Sequence, residues 1–319
     1  MRRSLPPQAI VANLAQLSVV IVLYDSADVI DGCIATLPPE VEVVVVDNAS
    51  ADDGLERAIA LRPDSSALRS ERNLGFGGGC NLGWHAASRP YVAFVNPDVR
   101  VRDQALSILL GRLEAEPHAM VGPALLDRSG ATRRCKRRPT ALLDAIGLLP
   151  AAARWAPVGW DGKLGRADPV HEAGGRVPTV EGACFILRRS DLEAIGGFDE
   201  DFFLYYEEES LALRLAGGAV YEPRAVVEHS GAASTARASA LATRHLHRSR
   251  VIFYRKRDGE LRGLLSGLIL ALAAAVSMLS AVVNAALRRP RARSLADDWH
   301  ALRGVLQGVA APLRSGVRY

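Results

Sequence analysis

Cysteine is scarce in this chain. Its four cysteines, Cys33, Cys80, Cys135 and Cys184, are widely spaced and form no Cys-x-x-Cys pair. That spacing gives neither a zinc pattern nor a disulfide framework, and it fits a reducing compartment. A secretory leader is also missing from the first residues. Met1-Arg2-Arg3 is basic, but Pro6-Pro7 and polar residues interrupt what would be the apolar centre of a signal. The catalytic part is therefore expected in the cytoplasm. Excess charge of one sign is small, at +4, so nucleic acid is not the expected partner. The charge is unevenly placed, however: arginine crowds 133–138, 237–262 and 288–293, while acids dominate 191–209. That asymmetry points to phosphate groups or an anionic membrane surface.

What is present is apolar material. At 49% hydrophobic residues the chain can bury a full core, which excludes wholesale disorder. Its 319 residues suggest two domains, or one large α/β domain with an appendage. Leu17–Tyr24 is a β-branched run of strand length. Ala27–Leu37 has helical spacing and is stopped by Pro38-Pro39, and Val41–Val46 is a second apolar strand. Strand, helix, strand with both strands uniformly apolar predicts a βαβ unit in a parallel sheet. Ligands bind beyond the carboxyl ends of such strands, where Asp25 and Asp47 sit. An acid there can accept hydrogen bonds from a base ring or a ribose, or simply form an Asp-Asn turn.

Residues 71–81 (ERNLGFGGGCN) read as a glycine-rich loop before a short helix, Leu82–Ala87. Such a loop lets backbone N–H groups approach a phosphate, which makes Asn73, Gly75 and Asn81 candidate substrate contacts. It half-imitates a dinucleotide fingerprint, with an acid 23 residues after Gly75, but Cys80 occupies the third glycine position and Ser65–Ser70 is a poor strand. Tyr91–Val95 is the next strand, and Asn96-Pro97-Asp98 at its end sets a carboxylate rigidly enough to hold Mg²⁺ or Mn²⁺. Residues 103–118 read as a surface helix. Thr132–Pro139 then packs five cations into eight positions, either a solvated basic loop or a phosphate-binding one. Residues 150–175 look like a loop or lid, and Val180–Leu187 like a strand. Val220-Tyr221 and Ala225–Val227 are strand-like, and His229 at the end of the sheet region could give a nitrogen to a metal held by Asp98.

Residues 197–210 (GFDEDFFLYYEEES) run from aromatic to acidic and into a helix. Glu208 lies three residues before Leu211 on the stripe that Leu211 and Leu215 mark as inward-facing. Glu207–Glu209 could simply complement the helix dipole. Partial burial of Glu208 under two tyrosines would instead raise its pKa towards the range of a general base.

In combination these pieces resemble the family 2 glycosyltransferases with a GT-A fold, and within them the rhamnosyltransferase-like branch. The resemblance rests on Tyr24-Asp25-Ser26, residues 46–50 (VDNAS), residues 72–77 (RNLGFG), Asn96-Pro97-Asp98, Glu181-Gly182-Ala183, residues 196–200 (GGFDE), Tyr206-Glu207-Glu208 and His229, and covers about 17–235. It implies an α/β fold with a mostly parallel central sheet, a tail at 1–16, a catalytic domain at 17–235 and a helical appendage at 236–319. It also implies that Asp47 reads base and ribose, that Asp98 and His229 hold Mg²⁺ or Mn²⁺, and that Glu208 is the base with Glu207 beside it. Arg137 and Arg138 would face the acceptor's diphosphate. The implied reaction is one inverting displacement, from dTDP-rhamnose to a polyprenyl-diphosphate-linked saccharide in cell-surface polysaccharide synthesis. Galactofuranose, mannose or another NDP-sugar are alternative donors, and a non-catalytic sugar-nucleotide-binding protein is the alternative role. The chain departs from the family's usual Asn at Asp25, its usual Asp at Glu208, a frequent second acid at Ser210 and the first Asp of the common metal motif at Asn96.

Past residue 235 the composition changes. Arg244–Arg262 carries seven Lys or Arg and reads as a basic amphipathic helix, and Leu264–Leu287 is 24 residues without a charge. The latter is long enough to span a bilayer but rich in Ala, Ser and Gly. An interfacial anchor at the cytoplasmic face of the plasma membrane, with basic helices on anionic lipid, is the expectation.

Overall fold

The computed structural model describes residues 13–132, 135–149, 157, 162–229, 239–287, 294–314, 317 and 319. A 3-10 turn at Leu14–Gln16 leads into β1 (Leu17–Leu23), α1 (Ile30–Ile34), β2 (Glu42–Asp47), α2 (Gly54–Leu61), β3 (Ser66–Arg69), α3 (Gly75–Ala86) and β4 (Tyr91–Val95). Then come β5 (Val99–Val101), α4 (Ala105–Ala115), β6 (Ala119–Leu126), α5 (Ala141–Gly147), α6 (Val170–Ala173), β7 (Gly175–Val177), β8 (Cys184–Arg188) and α7 (Arg189–Ile195). After α8 (Glu207–Arg214) and β9 (Gly218–His229) the chain ends in α9 (Ser239–Asp258), α10 (Glu260–Ala286) and α11 (Leu295–Val309).

The strands form one sheet in the order β3-β2-β1-β4-β8-β6-β9-β5, with β7 also paired to β9. From β3 to β4 all pairings are parallel, as the uniformly apolar runs require. β8 enters antiparallel between β4 and β6, so the sheet is mixed beyond β4. All seven residues of β1 are buried, and its alternation divides them between two cores. Val19, Ile21 and Leu23 join a cluster with α1, α2 and α4, while Val20 and Val22 join one with α3, Phe198 and Leu211.

The glycine-rich run is not a loop but the first two turns of α3. A Cβ at Gly79 would stand 2.6 Å from Val22, and one at Gly83 only 2.3 Å from Val20, so the glycines let α3 lie flat on β1. The segment discounted at Ser65–Ser70 does hold a strand, β3. Its mostly exposed place at the sheet edge explains why it lacks an apolar pattern.

The C-terminal helices pack on the acidic stretch itself. Phe202 and Tyr206 share a core with Val251, Phe253, Tyr254, Leu270 and Ala301. The cations of α9 correspondingly turn inward rather than to lipid. Lys256 Nζ lies 2.7 Å from both Asp199 and Asp201, Arg248 donates to the Asp201 carbonyl at 3.0 Å, and Arg255 donates to the Gly308 and Ala311 carbonyls. Desolvating those charges is offset only by fixed acids and carbonyls, which helix periodicity does not reveal. α10 is two-faced in a different sense. Gly263, Gly267, Leu270, Ala274, Ser277 and Ala281 are buried, while Leu265, Leu268, Leu272, Val276, Leu279 and Val283 are exposed. It is the one helix among the described residues long and apolar enough to cross a membrane.

Candidate active site

β1 and β2 end side by side, with Leu23 paired to Asp47. Asp25 has a left-handed backbone (φ 48°), its carboxylate accepts the Ala51 N–H at 2.8 Å, and its own N–H donates to Ser50 Oγ at 3.1 Å. Asp47, 3% exposed, accepts the Ser50 N–H at 2.9 Å and pairs with Arg69 Nε at 2.9 Å. Asp47, Ser50, Asp52, Glu56, Arg69 and Glu71 line an open cavity of about 590 Å³. Arg69 escaped the sequence reading because only the β2–β3 register sets it opposite Asp47.

Three expected substrate contacts have another task. Asn73 Oδ1 accepts the Gly75 N–H at 2.8 Å and the Asn48 Nδ2 at 3.1 Å. Gly75 has φ +77°, and a Cβ there would stand 2.2 Å from the Phe203 carbonyl, which accepts the Phe76 N–H at 2.9 Å. The Asn81 amide donates to the Phe198 carbonyl and Glu200, and accepts from the Phe198 N–H and Trp84 Nε1. The Phe76 N–H and Asn81 pin the acidic stretch to α3, and Asn73 braces the start of that helix. Asn48, missed in the sequence, joins them: its buried side chain accepts the Leu74 N–H at 2.8 Å and donates to the Gly75 carbonyl at 3.0 Å.

On the far side, β5 pairs with β9 so that Val99 faces His229. This brings His229 Nε2 within 3.2 Å of Asp98 Oδ1, each side chain 14% exposed. The buried Nδ1 of His229 has no hydrogen-bond partner among the described residues.

Between these halves lies a carboxylate cluster. Tyr205 and Tyr206 have φ 70° and 74°, a costly left-handed turn for non-glycine residues that swings the chain into α8. Glu207, Glu208 and Glu209 form its first turn, and all three are buried. Helix-dipole complementation alone would leave them in water. Burial, and then the charge of Glu208, push Glu207 well above the ordinary carboxyl range, and the same causes push Glu209 up to about 7. Glu207 Oε1 has no hydrogen-bond partner among the described residues. Glu208 Oε1 accepts from Lys136 Nζ at 2.6 Å and from the Gly182 N–H at 3.2 Å. Lys136 also reaches Glu209 at 3.1 Å, and Lys163 pairs with Glu181. Burial would lower the Lys136 pKa, but the charges of Glu208, Glu209 and Glu181 hold it well above its ordinary value. One residue past Gly182, the Ala183 carbonyl accepts the Asn96 N–H at 2.9 Å, so a single tripeptide touches both Glu208 and the Asn96-Pro97-Asp98 turn.

Of the basic run, Arg133 and Arg134 lie outside the described residues. Arg137 is turned towards the protein. It is 8% exposed, with Nη2 2.6 Å from Asp144 Oδ1 and Nη1 donating to the Arg138 carbonyl. Arg138 is exposed, and no ion pair of its side chain occurs among the described residues.

A family model described as "Glycosyl transferase family 2" matches residues 18–196, more than half of the chain. The chain is 30% identical over 299 residues to an N-acetylglucosaminyl-diphospho-decaprenol L-rhamnosyltransferase of Mycobacterium tuberculosis (strain CDC 1551 / Oshkosh), covering 88% of this chain and 96% of that one. It is also 30% identical over 206 residues to the low-salt glycan biosynthesis hexosyltransferase Agl10 of Haloferax volcanii, covering 63% and 62%. Among solved structures, the mannosyltransferase PcManGT from Pyrobaculum calidifontis in complex with GDP-Man and Mn²⁺ superposes with a TM-score of 0.50 at 18% identity, over 92% of this chain and 86% of that one. At that identity the likeness speaks for the fold.

Proposed function

The chain belongs to the family 2 glycosyltransferases and has a GT-A fold, and we propose that it moves L-rhamnose from dTDP-rhamnose to a saccharide carried on a polyprenyl diphosphate. The donor and acceptor classes are inferred from the mycobacterial rhamnosyltransferase, which the chain matches along 96% of its length. The observation that carries the reading is the tripeptide Glu181-Gly182-Ala183, which ties Glu208 to the turn bearing Asp98. A base and a diphosphate-side acid fixed to one strand end suit a displacement between them.

In this reading the donor nucleoside occupies the cavity beside Asp47, Asp25 and Arg69. Asp98 and His229 would hold Mg²⁺ or Mn²⁺. Among the described residues no cluster of three or more acids, histidines or cysteines could hold a metal alone. An oxygen–nitrogen pair nevertheless fits an ion that takes its other ligands from the diphosphate and water. When bound, that ion supplies charge stabilisation to the departing diphosphate. Glu208 accepts the proton of the acceptor hydroxyl as its oxygen attacks the anomeric carbon, the bond to the nucleoside diphosphate breaks, and the sugar inverts. Glu207 stands beside it, and Arg138 lies towards the acceptor. The test is transfer by purified protein with Mg²⁺, a panel of NDP-sugars and a short-chain lipid diphosphate saccharide. Transfer from dTDP-rhamnose that stops with EDTA is expected. Transfer from another NDP-hexose only would sink the rhamnosyl assignment, and the hexosyltransferase relative makes that the alternative donor class.

A polyprenyl-linked acceptor keeps its tail in a bilayer, and the exposed leucine face of α10 is the surface to meet it. We place the protein as a peripheral enzyme at the cytoplasmic face of the plasma membrane, lying on anionic lipid by this face. The buried small-residue face of α10 packs on α9 and α11, so lying flat preserves contacts that spanning would break. Leu268 and Leu272 are each 65% exposed. Two leucines entering lipid contribute about 3 kcal/mol or more, so Leu268→Ser with Leu272→Ser should cut co-sedimentation with anionic vesicles roughly 100-fold. The thermal midpoint should stay nearly unchanged, as surface changes are within about 0.5 kcal/mol. Undiminished vesicle binding would rule this face out.

A further inference from the structure

The basic run around residue 135 sends Lys136 into the site rather than into solvent. Lys136 Nζ lies 2.6 Å from Glu208 Oε1, 3.1 Å from Glu209 Oε1 and 3.9 Å from Glu181 Oε2, so carboxylates from α8 and from the approach to β8 converge on one ammonium. Its backbone is held on both sides. The Cys135 carbonyl accepts the Leu164 N–H at 2.9 Å, the Arg137 N–H donates to the Gly162 carbonyl at 3.1 Å, and the Arg137 side chain is locked to Asp144. A lysine so fixed gives up its rotamer freedom, and the ordering is offset only if the charge it meets is buried.

We propose that Lys136 is a positioning residue for the transfer reaction, setting its ammonium against Glu208 Oε1 and aiming that carboxylate among the acids around it. The proposal rests on Glu208 being the base. The groups around Glu208 are Glu207 and Glu209 on its own helix, Tyr205 from the turn before it, Cys80 from α3, Lys136, and Glu181 from the approach to β8, which shares Lys136 with it and also pairs with Lys163. Five of these are neutral or negative, and Lys136 is the cation in contact. Glu207 and Glu209 already resist ionisation in this environment. Two carboxylates crowded together without a counter-ion cannot both stay charged. A Glu208 that carries a proton before the acceptor arrives cannot take the acceptor's own, and one without the ammonium also loses the 2.6 Å contact that, with the Gly182 N–H, fixes its Oε1. The longer side chain of glutamate, where the family commonly has aspartate, makes that fixing more necessary, because it adds a rotatable bond.

The experiment is the pH profile of kcat for Lys136→Met and Lys136→Arg, with Glu208→Gln alongside, assayed as transfer to the short-chain lipid diphosphate acceptor. Lys136→Met is expected to lower kcat at neutral pH by about 100-fold, within the range that proton transfer contributes. The KM for the NDP-sugar stays at the wild-type value, and the acid limb moves up by about one pH unit or more, so that raising the pH recovers part of the rate. Lys136→Arg keeps the limb where it was, with a smaller loss. An acid limb unmoved in Lys136→Met overturns the proposal. So does a loss lying wholly in the acceptor KM, since Lys136 would then be contacting the acceptor's diphosphate. Should methionine prevent folding, Lys136→Gln keeps a polar head against the same acids and is read in the same way. Activity surviving in Glu208→Gln would instead remove the base assignment itself, whereas a dead Glu208→Gln with an unmoved limb in Lys136→Met removes only the lysine's role.

Discussion

Glu208→Gln is expected to lower kcat by about 10³-fold, within the span attributed to general acid–base catalysis, while leaving the KM for the donor within about twofold. Glutamine keeps the length and one oxygen of the side chain, so the Gly182 N–H retains its acceptor and α8 keeps its start. It loses the basic carboxylate oxygen that takes a proton, and it turns the Lys136 contact from an ion pair into a hydrogen bond between an ammonium and a neutral amide. Because only the transition state needs that proton moved, the loss belongs in kcat. Glu207→Gln is the useful contrast. Glu207 is 2% exposed, lies against Gly77, and its carboxyl resists ionisation. A neutral amide there replaces an acid whose charge is disfavoured by burial, so the rate should fall far less. Initial rates of labelled sugar transfer for the two variants decide the matter. Equal losses would mean that the cluster acts as a unit and that no single glutamate is the base.

Asp144→Ala is expected to cost about 3–5 kcal/mol of stability, the penalty of leaving a buried charge without its counter-ion. Asp144 is 8% exposed and takes Arg137 Nη2 at 2.6 Å on one oxygen, with Arg250 Nε at 3.3 Å and the Tyr254 hydroxyl on the other. Removing it takes the shared carboxylate from two guanidiniums beside a core formed by α5, α9 and α10. The effect also reaches the site. Arg250 donates to the Tyr206 hydroxyl at 2.9 Å, and Tyr206 is the left-handed residue that starts α8. Urea unfolding gives the number, and a loss below about 1 kcal/mol would show that the arginines escape to water or to other acids. Activity should decline beyond what the folded fraction explains, since the turn that presents Glu207–Glu209 loses its outer support.

Much of the architecture was legible because it is written in local pattern. The apolar runs at Leu17–Tyr24 and Val41–Val46 became β1 and β2, and Asp25 and Asp47 sit at the sheet's carboxyl edge. The Tyr-Glu-Glu-Glu sequence at 206–209 did open a helix with its carboxylates inward. The glycine run was misread as a loop because glycine is permissive in turns, and its use here, close approach of a helix to a sheet, depends on Val20 and Val22 some sixty residues earlier. The β3 strand was discounted because an edge strand need not carry an apolar face. The protein partners of Asn81 and Arg137 are not legible in the sequence, because a polar residue there does not say what it will meet.

What the sequence determined by itself is therefore the kind of protein this is: the parallel half of its sheet, the acids at the strand ends, and an order of short motifs specific enough to place it among the family 2 glycosyltransferases. Those features depend on neighbours within a few residues, where hydrophobic period and strand-end position act directly. What only the tertiary structure decided is which charge meets which. Lys136 reaches Glu208 across 72 positions, Arg69 meets Asp47 through strand register, Asp98 meets His229 through the β5–β9 pairing, and Lys256 of α9 finds Asp199 and Asp201 inside the protein. Ion pairing falls off over a few ångströms and is indifferent to separation along the chain, so it is settled only when the sheet has closed and the helices have docked.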